Sequence, residues 1–201
     1  MDTNKRLKLL QDNEEIPKIR SVAVFCGSSP GDRPTFLKTA EQLGKSLASA
    51  NITLVYGGGK TGLMGAVANG ALSLDGDVIG VMPNFLKKKE VDHPNLTKLV
   101  LVKNMHARKK TMFDLSDGFI ILPGGLGTLD EALEIIAWRQ LGVHKKPILI
   151  INNDNYWQPL IELIKSTIQH EFSAPQTNNI FEVVNRADEV VEILKSLYSV
   201  E

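Results

Sequence analysis

The chain has 201 residues, and its 23 Lys and Arg residues balance 23 Asp and Glu residues, so the formal net charge is zero. The length suits one domain, and 43% hydrophobic with 23% charged residues excludes a disordered or collagen-like chain. A neutral chain has no general attraction for nucleic acid or an acidic membrane surface, so we expect neither as a partner. We expect a small-molecule partner, held by a local site.

Residues 1–17 are polar and mixed in charge, and we predict an N-terminal extension there, followed by a single domain over 18–201. This start lacks the apolar centre of a signal peptide, and the single cysteine, Cys26, cannot form an internal disulfide. The longest apolar runs are far shorter than the roughly 20 residues that span a bilayer. We therefore expect a cytoplasmic protein.

From residue 21 onward, short apolar runs alternate with longer segments of helical period. The runs are continuously apolar and β-branched, which is typical of strands covered on both faces. This alternation predicts an α/β fold, a doubly wound parallel sheet with helices on both faces, whose ligands bind at the carboxyl ends of the strands. The predicted strands are 22–26, 52–56, 77–82, 99–102, 118–122 and 147–151; the predicted helices are 33–50, 62–74, 104–116, 128–141, 156–170 and 187–198.

A first glycine-rich loop, Gly57 to Gly65, follows the second predicted strand. It is either a turn that packs a strand against a helix or a set of backbone N–H groups facing an anion, with Gly58 and Gly59 as candidate contacts. A P-loop is excluded, because Leu54 stands where that motif needs glycine. A nicotinamide site is disfavoured, because Asp77 opens its strand instead of ending it.

A second glycine-rich loop, Pro123 to Glu131, follows the fifth predicted strand. Its three glycines expose the main chain, and the helix that follows presents its positive end, so we predict a phosphate cradle. The candidate contacts are Gly124, Gly125, Leu126, Gly127 and Thr128. Thr128 and Glu131 also have capping-box spacing, so Glu131 is alternatively a helix cap. Capping does not explain three glycines in four positions.

The segment 104–112 reads as a basic helix with Asn104 as its N-cap. Cations in the first turns of a helix oppose its dipole, which indicates an anion nearby. Arg108 lies three residues after Met105 and four before Met112, so we place it on the apolar face of this helix. A guanidinium there binds a ligand, pairs with a structural carboxylate or extends its end to solvent.

Together, PGGLGTLDE and MHARKKTM resemble the Lonely guy family of cytokinin-activating phosphoribohydrolases, members of which are often labelled possible lysine decarboxylases. The resemblance extends from Ser21 to about Tyr198 and includes YGGGKTGLMG and AWRQLGVHKKP. It implies a homodimer of Rossmann-like subunits that hydrolyse the N-glycosidic bond of adenosine-type nucleoside 5′-monophosphates to free base and ribose 5-phosphate. The decarboxylase label lacks support, because we find no motif for a pyridoxal phosphate lysine and its acidic partner.

The resemblance also implies site residues. Arg108 and Glu131 correspond to the catalytic pair, and Glu90, Lys109 and the loop from Gly125 to Thr128 correspond to substrate contacts. Plant-like members carry threonine where this chain has Ala137, which leaves the preference between AMP and a bulky N6-modified base open.

Cleavage of a ribosyl C–N bond develops positive charge on the sugar, so a carboxylate beside the ring is required. Glu131 lies about one helical turn, roughly 5.4 Å, beyond the cradle and either stabilises this charge or acts as a general base. Arg108 suits a phosphate clamp or a donor to the leaving base.

Some signals remain outside this interpretation. The four histidines lack metal-ligand spacing, so we expect neither a metal nor another cofactor. Cys26 is expected to be a buried small hydrophobe, and Ser28 or Ser29 a ligand contact. A non-catalytic nucleotide-binding module and, less favoured, a nicotinamide-dependent oxidoreductase remain as alternatives.

Overall fold

Seven strands form one parallel sheet in the computed structural model, which describes residues 19–86 and 93–198. The predicted extension over 1–17 lies outside the described residues. The strands are β1 (Ser21–Phe25), β2 (Thr53–Tyr56), β3 (Val78–Pro83), β4 (Lys98–Val102), β5 (Gly118–Ile121), β6 (Ile148–Ile151) and β7 (Glu182–Val184). The helices are α1 (Pro34–Ser49), α2 (Gly62–Leu72), α3 (Met105–Asp114), α4 (Leu126–Gln140), α5 (Gln158–Gln169) and α6 (Val190–Tyr198), with short 3-10 helices at Asn153–Asn155 and Pro175–Asn179.

The order of the strands places a topological switch point at β1. The sheet runs β4-β3-β2-β1-β5-β6-β7, so the chain builds outward from β1 to β4 and then returns to the other side of β1 with β5. Val22 of β1 is in register with Leu54 of β2 on one side and with Gly118 of β5 on the other. The predicted doubly wound fold is therefore confirmed, and the carboxyl ends of β1 and β5 define its crevice.

The central strands are buried on both faces, as predicted from their continuous apolar runs. Val22 and Val24 of β1 point into one hydrophobic cluster, whereas Ala23 and Phe25 point into the other. The prediction is wrong for β4, where Leu101 is exposed. The reason is position, because β4 is an edge strand that its helices cover incompletely.

Glycines allow α1 and α2 to pack with their backbones in contact. A Cβ atom at Gly44 would lie 2.1 Å from the Val67 carbonyl oxygen, and one at Gly70 would lie 2.2 Å from the Glu41 carbonyl oxygen. This close packing on one face of the sheet fixes where α2 begins, beside the loop after β1. Within residues 19–86 and 93–198, no helix is long and apolar enough to cross a membrane.

Candidate active site

A cavity of about 280 Å³ opens at the switch point of the sheet. Its walls come from the loops after β1 and β2, from helix α3 and from the first turns of α4. Glycines of the loops and charged side chains of the helices therefore line the same cavity. This is the edge of the sheet at which the sequence predicted ligand binding.

Helix α4 begins in the wall of this cavity. Gly125 is its N-cap residue, and the Leu129 N–H donates to the Gly125 carbonyl at 3.0 Å. The N–H groups of Leu126, Gly127 and Thr128 precede this first helical hydrogen bond, so they are available to an anion in the cavity. We call residues 125–128 the cradle.

The structure contradicts the capping-box interpretation of this helix. Thr128 is the third helical residue instead of the N-cap, so Thr128 and Glu131 do not occupy the two positions of that motif. Glu131 lies in the second turn and lines the cavity. Its side chain therefore lies at the cavity and does not cap the start of its own helix.

Two of the three glycines of this loop are not required by packing. A Cβ atom at Gly125 or Gly127 would meet nothing within 4 Å, and neither glycine has a positive φ. Gly124 differs, because a Cβ atom there would lie 2.2 Å from Thr128 Oγ1. Glycine in a helix costs about 1 kcal/mol relative to alanine. Gly125 and Gly127 therefore keep space open in front of the cradle amides.

Glu131 is a buried carboxyl group with an unusual proton affinity. It is 9% exposed and forms no hydrogen bond or ion pair with the described residues. Burial raises the pKa of Glu131 to about 7, and the positive charge of Arg108 opposes this rise. A carboxyl group with this pKa is divided between its ionised and neutral forms at neutral pH.

Arg108 reaches the same cavity from α3 and is held by main-chain carbonyls. Its Nε donates to the Val81 carbonyl and its Nη2 to the Gly57 carbonyl, both at 3.1 Å. It is 8% exposed, so it does not extend to solvent, and it forms no ion pair with a carboxylate among residues 19–86 and 93–198. The predicted apolar-face position is confirmed, because Arg108 and Met112 are the buried residues of α3.

The start of α3 supports this placement of Arg108. The Asn104 side chain accepts a hydrogen bond from the Ala107 N–H at 2.9 Å, which confirms the predicted N-cap. Gly57 leaves space for the guanidinium, since a Cβ atom at this position would lie 2.1 Å from Arg108 Nη2. The glycine after β2 therefore provides both the space and a hydrogen-bond acceptor for the Arg108 guanidinium.

Lys109 is not part of the cavity wall. Its Nζ lies 3.1 Å from Asp130 Oδ2 and 3.1 Å from Glu134 Oε1, and these interactions raise the pKa of Lys109 although burial opposes them. The lysine thus connects α3 to α4. Its predicted substrate contact stays a prediction.

The first glycine-rich loop is used differently from the second. The N–H groups of Leu63 and Met64, at the start of α2, donate to the Gly27 carbonyl at 3.0 and 3.2 Å. These amides thus have a structural acceptor and do not face an anion. Gly57 lines the cavity, whereas Gly58 and Gly59 are outside its described lining, so their predicted substrate contact stays a prediction.

A second cavity of about 260 Å³ adjoins the first along the loop after β1. Gly27, Ser28 and Gly125 line both cavities, and Ser29 and Gly124 line the second. Ser28 and Ser29 thus lie at the switch point, where a ligand contact was predicted for one of them. Glu90, the remaining predicted contact, lies outside the described residues.

The sequence did not predict that several apolar residues line the cavity. Met64, Met105 and Met112 form an apolar part of the wall, together with Cys26. Burial raises the pKa of the Cys26 thiol, which is therefore neutral at pH 7. Apolar residues at helical spacing are usual in a core, so the sequence contained no signal that these would line a cavity. Among the described residues, no group of three or more His, Cys, Asp or Glu side chains is arranged to hold a metal ion.

The chain is similar in sequence to a known protein family. Residues 64–194, which include Arg108 and Glu131, match the family model described as possible lysine decarboxylase. Cytokinin riboside 5′-monophosphate phosphoribohydrolase LOG1 of Arabidopsis thaliana is 40% identical over 178 residues, 89% of this chain and 84% of the relative. Cytokinin riboside 5′-monophosphate phosphoribohydrolase of Rhodococcoides fascians is 42% identical over 164 residues, 81% of this chain and 83% of the relative.

Solved structures show the same fold. A Moco carrier protein from Chlamydomonas reinhardtii superposes with a TM-score of 0.68 at 20% identity, covering 92% of this chain and 100% of the carrier. The molybdenum cofactor binding protein of Rippkaea orientalis gives a TM-score of 0.64 at 25% identity, covering 90% and 98%. From the family match and the identity with the two hydrolases, the chain belongs to the family of nucleoside 5′-monophosphate phosphoribohydrolases described as possible lysine decarboxylases.

Proposed function

We propose that this protein hydrolyses the N-glycosidic bond of adenosine-type nucleoside 5′-monophosphates, including N6-modified ones, to free base and ribose 5-phosphate. One observation carries the proposal. Glu131, a buried carboxyl that accepts no hydrogen bond from the described residues, lies in the same cavity as an open helix N-terminus and a buried arginine. The relatives' names supply the reaction class.

The cradle suits the 5′-phosphate of such a substrate. Backbone N–H groups and the positive end of α4 favour an anion, and the open space at Gly125 and Gly127 admits its oxygens. The chain as a whole is neutral, so this local arrangement must supply the attraction. A substrate without the phosphate is expected to bind more weakly.

Glu131 suits the ribose, because it lies one helical turn beyond the cradle. One turn rises about 5.4 Å, which is close to the distance from a 5′-phosphate to the sugar ring. As a carboxylate, Glu131 stabilises the oxocarbenium-like transition state or removes a proton from the attacking water. Both roles require the ionised form, so its raised pKa makes activity depend on pH near 7.

Arg108 and the methionines suit the base. Arginine has five N–H donors, and the contacts to Val81 and Gly57 use two of them, which leaves others to bind the leaving base or the phosphate. Arginine stays protonated, so it acts as a donor or clamp and not as a proton-transfer acid. The apolar wall of Met64, Met105 and Met112 accommodates a flat aromatic ring.

The alternative of a nicotinamide-dependent oxidoreductase is disfavoured by the first glycine-rich loop. In a dinucleotide site that loop would present the start of its helix to a pyrophosphate. Here the Leu63 and Met64 amides already donate to the Gly27 carbonyl. A non-catalytic nucleotide-binding module needs the cradle but not Glu131, whose burial lowers the free energy of unfolding when the carboxyl is ionised. The presence of Glu131 therefore favours a hydrolase.

We also propose a homodimer, formed through an exposed apolar stripe on α4. Leu126, Leu133 and Leu141 are 85%, 45% and 77% exposed, and exposed Ala137 lies between them. Large exposed apolar side chains grouped on one helix indicate a protein contact. The leucine at the cavity entrance, Leu126, belongs to this stripe, so a partner would border the site. We place the protein in the cytoplasm, where Cys26 remains reduced.

The direct test is to incubate the purified protein with AMP and with an N6-substituted AMP and to separate the products by chromatography. Free base with equimolar ribose 5-phosphate is the expected result. Glu131→Gln should release base at least 100-fold more slowly and still bind AMP, because the amide keeps the shape but not the charge. Glu162→Gln, on an exposed face of α5, is the matched control and should retain full activity.

Binding of AMP without release of base would instead support the non-catalytic module. Turnover by Glu131→Gln at the parent rate would show that this carboxyl is not the catalytic group. The ratio of the two substrates' kcat/KM values measures the N6 preference, and sedimentation of the parent and Leu133→Glu tests the dimer.

A further inference from the structure

A tyrosine from a different loop contacts the peptide that precedes the cradle. The Tyr156 hydroxyl donates a hydrogen bond of 2.6 Å to the Gly124 carbonyl. Tyr156 lies between the 3-10 helix after β6 and the start of α5, about 30 residues beyond the cradle in sequence. The contact therefore joins the loop after β6 to the loop after β5.

This contact determines the direction of a cradle amide. The Gly124 carbonyl and the Gly125 N–H belong to one planar trans peptide, in which the C=O and N–H bonds point in opposite directions. The preceding peptide is held separately, because the Gly27 N–H donates to the Pro123 carbonyl at 3.0 Å. With Pro123 and Gly124 both held at their carbonyls, two successive peptides of the loop have fixed orientations.

Without the tyrosine, the Gly124–Gly125 peptide would be free to turn over. Glycine occupies both sides of it, and glycine accepts positive and negative φ about equally. Gly124 must be glycine, because any side chain there would collide with Thr128. Two adjacent glycines thus make the first peptide of the cradle mobile, and a contact from outside the loop is needed to hold it.

The loop that carries Tyr156 is held in a left-handed backbone conformation. Asp154 and Asn155 have φ values of 55° and 58°, a region in which non-glycine residues are uncommon. Contacts from the start of α1 hold it there: Thr35 Oγ1 donates to the Asp154 carboxylate, and Arg33 Nη1 donates to the Asp154 carbonyl at 3.2 Å. These contacts fix the loop from which Tyr156 reaches the Gly124 carbonyl.

Packing accounts for the ring of Tyr156 but not for its hydroxyl. The ring contacts Phe36 and Trp157 edge-on, with centroids 5.5 and 4.9 Å apart. Phenylalanine would make both contacts equally well. The residue is 39% exposed, so water could satisfy the hydroxyl elsewhere.

We propose that Tyr156 is a positioning residue for phosphate binding, which holds the Gly124–Gly125 peptide so that the cradle amides face the anion. The proposal rests on the proposed function, in which the anion is the 5′-phosphate of the substrate. Tyr156 does not line the cavity of Arg108 and Glu131, to which the proposed function assigns the base and the sugar. Its effect is therefore specific to ligands that carry the phosphate.

Tyr156→Phe removes the hydroxyl and keeps the ring, so it isolates this contact. Titration calorimetry with ribose 5-phosphate should give a Kd about three- to tenfold higher than that of the parent, the effect of losing one hydrogen bond. Inhibition by adenosine, which lacks the phosphate, should not change. The KM for AMP should rise by the same factor while kcat changes less than about twofold.

Tyr56→Phe is the matched control. The Tyr56 hydroxyl is buried without a hydrogen-bond partner among the described residues, so its removal is the same chemical change without a contact to lose. This variant should bind ribose 5-phosphate as the parent does, and both variants should have the parent's melting temperature within a few degrees.

An unchanged Kd in Tyr156→Phe, or equal weakening of ribose 5-phosphate and adenosine, would overturn the positioning role. A parent that binds ribose 5-phosphate, shows the selective loss and fails to cleave AMP would refute the proposed function but support the role of Tyr156. A parent that does not bind ribose 5-phosphate would refute both.

Discussion

Lys109 Nζ lies 3.1 Å from Asp130 Oδ2, so the residue after Arg108 is tied to the residue before Glu131. Lys109 also pairs with Glu134, one turn further along α4. The two candidate catalytic side chains face the cavity while their neighbours connect the helices outside it. Two ion pairs of Lys109 thus connect α3, which carries Arg108, to α4, which carries Glu131.

This arrangement predicts that Lys109 contributes to activity by holding α3 and α4 together and not by contacting the substrate. Lys109→Met should lower kcat/KM about three- to tenfold, because the separation of α3 and α4 is less well fixed. The double variant Asp130→Asn, Glu134→Gln should lose a similar amount, since it removes the same ion pairs from the other side. A direct substrate contact by Lys109 would instead leave the double variant near parent activity and Lys109→Met far below it.

The raised pKa of Glu131 predicts a pH dependence of the rate. Since burial raises this pKa to about 7, the ionised fraction and hence kcat/KM for AMP should fall almost tenfold per pH unit below about pH 6 and level off above about 8. The affinity for ribose 5-phosphate over the same range is the control, because it reports ionisation of the phosphate without the chemical step. A profile that is flat between pH 6 and 8 would contradict the role of Glu131.

The same residue predicts a pH dependence of stability. A carboxyl whose pKa is about 7 when folded and roughly 4.3 when unfolded stays protonated longer in the native state, so its contribution is present at low pH and lost as pH rises through 7. Between pH 5 and 8 the free energy of unfolding of the parent should fall by about 2–3 kcal/mol relative to Glu131→Gln. Urea denaturation of both proteins at the two pH values measures this difference. A constant difference would indicate an ordinary pKa.

The open space at the cradle predicts opposite effects on stability and binding. Gly127 lies in the first turn of α4, where a Cβ atom would meet nothing within 4 Å, so Gly127→Ala should stabilise the fold by about 0.5–1 kcal/mol. The added methyl group would stand in front of the cradle amides, so affinity for AMP should fall at least tenfold. Gly142→Ala is the control, because φ of +73° there makes alanine unfavourable without affecting AMP binding. Undiminished affinity in Gly127→Ala would place the phosphate elsewhere.

Local pattern was sufficient for most of the fold. The six predicted strands correspond to β1–β6 because buried parallel strands are continuous apolar runs. β7, of which Glu182 and Val183 are exposed, lacks such a run, and its position follows from pairing with β6. The predicted start of α4 is residue 128, but the helix begins at Leu126, because glycine at 125 serves as its N-cap without a side-chain hydrogen bond.

The candidate site was predictable where its residues are adjacent in sequence. The glycines before α4 indicated the cradle, and the spacing of Arg108 from Met105 and Met112 indicated its burial. The roles of Gly27, Gly57 and Tyr156 depend on hydrogen bonds between a carbonyl group and a donor distant in sequence. Any residue supplies a carbonyl, so no residue type marks these contacts in advance.

Gly27 connects the two halves of the sheet at their junction. Its carbonyl receives the start of α2 from one half, and its N–H binds the Pro123 carbonyl of the other. A nucleotide arriving at this junction meets a surface already assembled, so little conformational entropy is lost on binding. We expect an enzyme of this design to recognise its substrate as a rigid template, without domain closure at this seam.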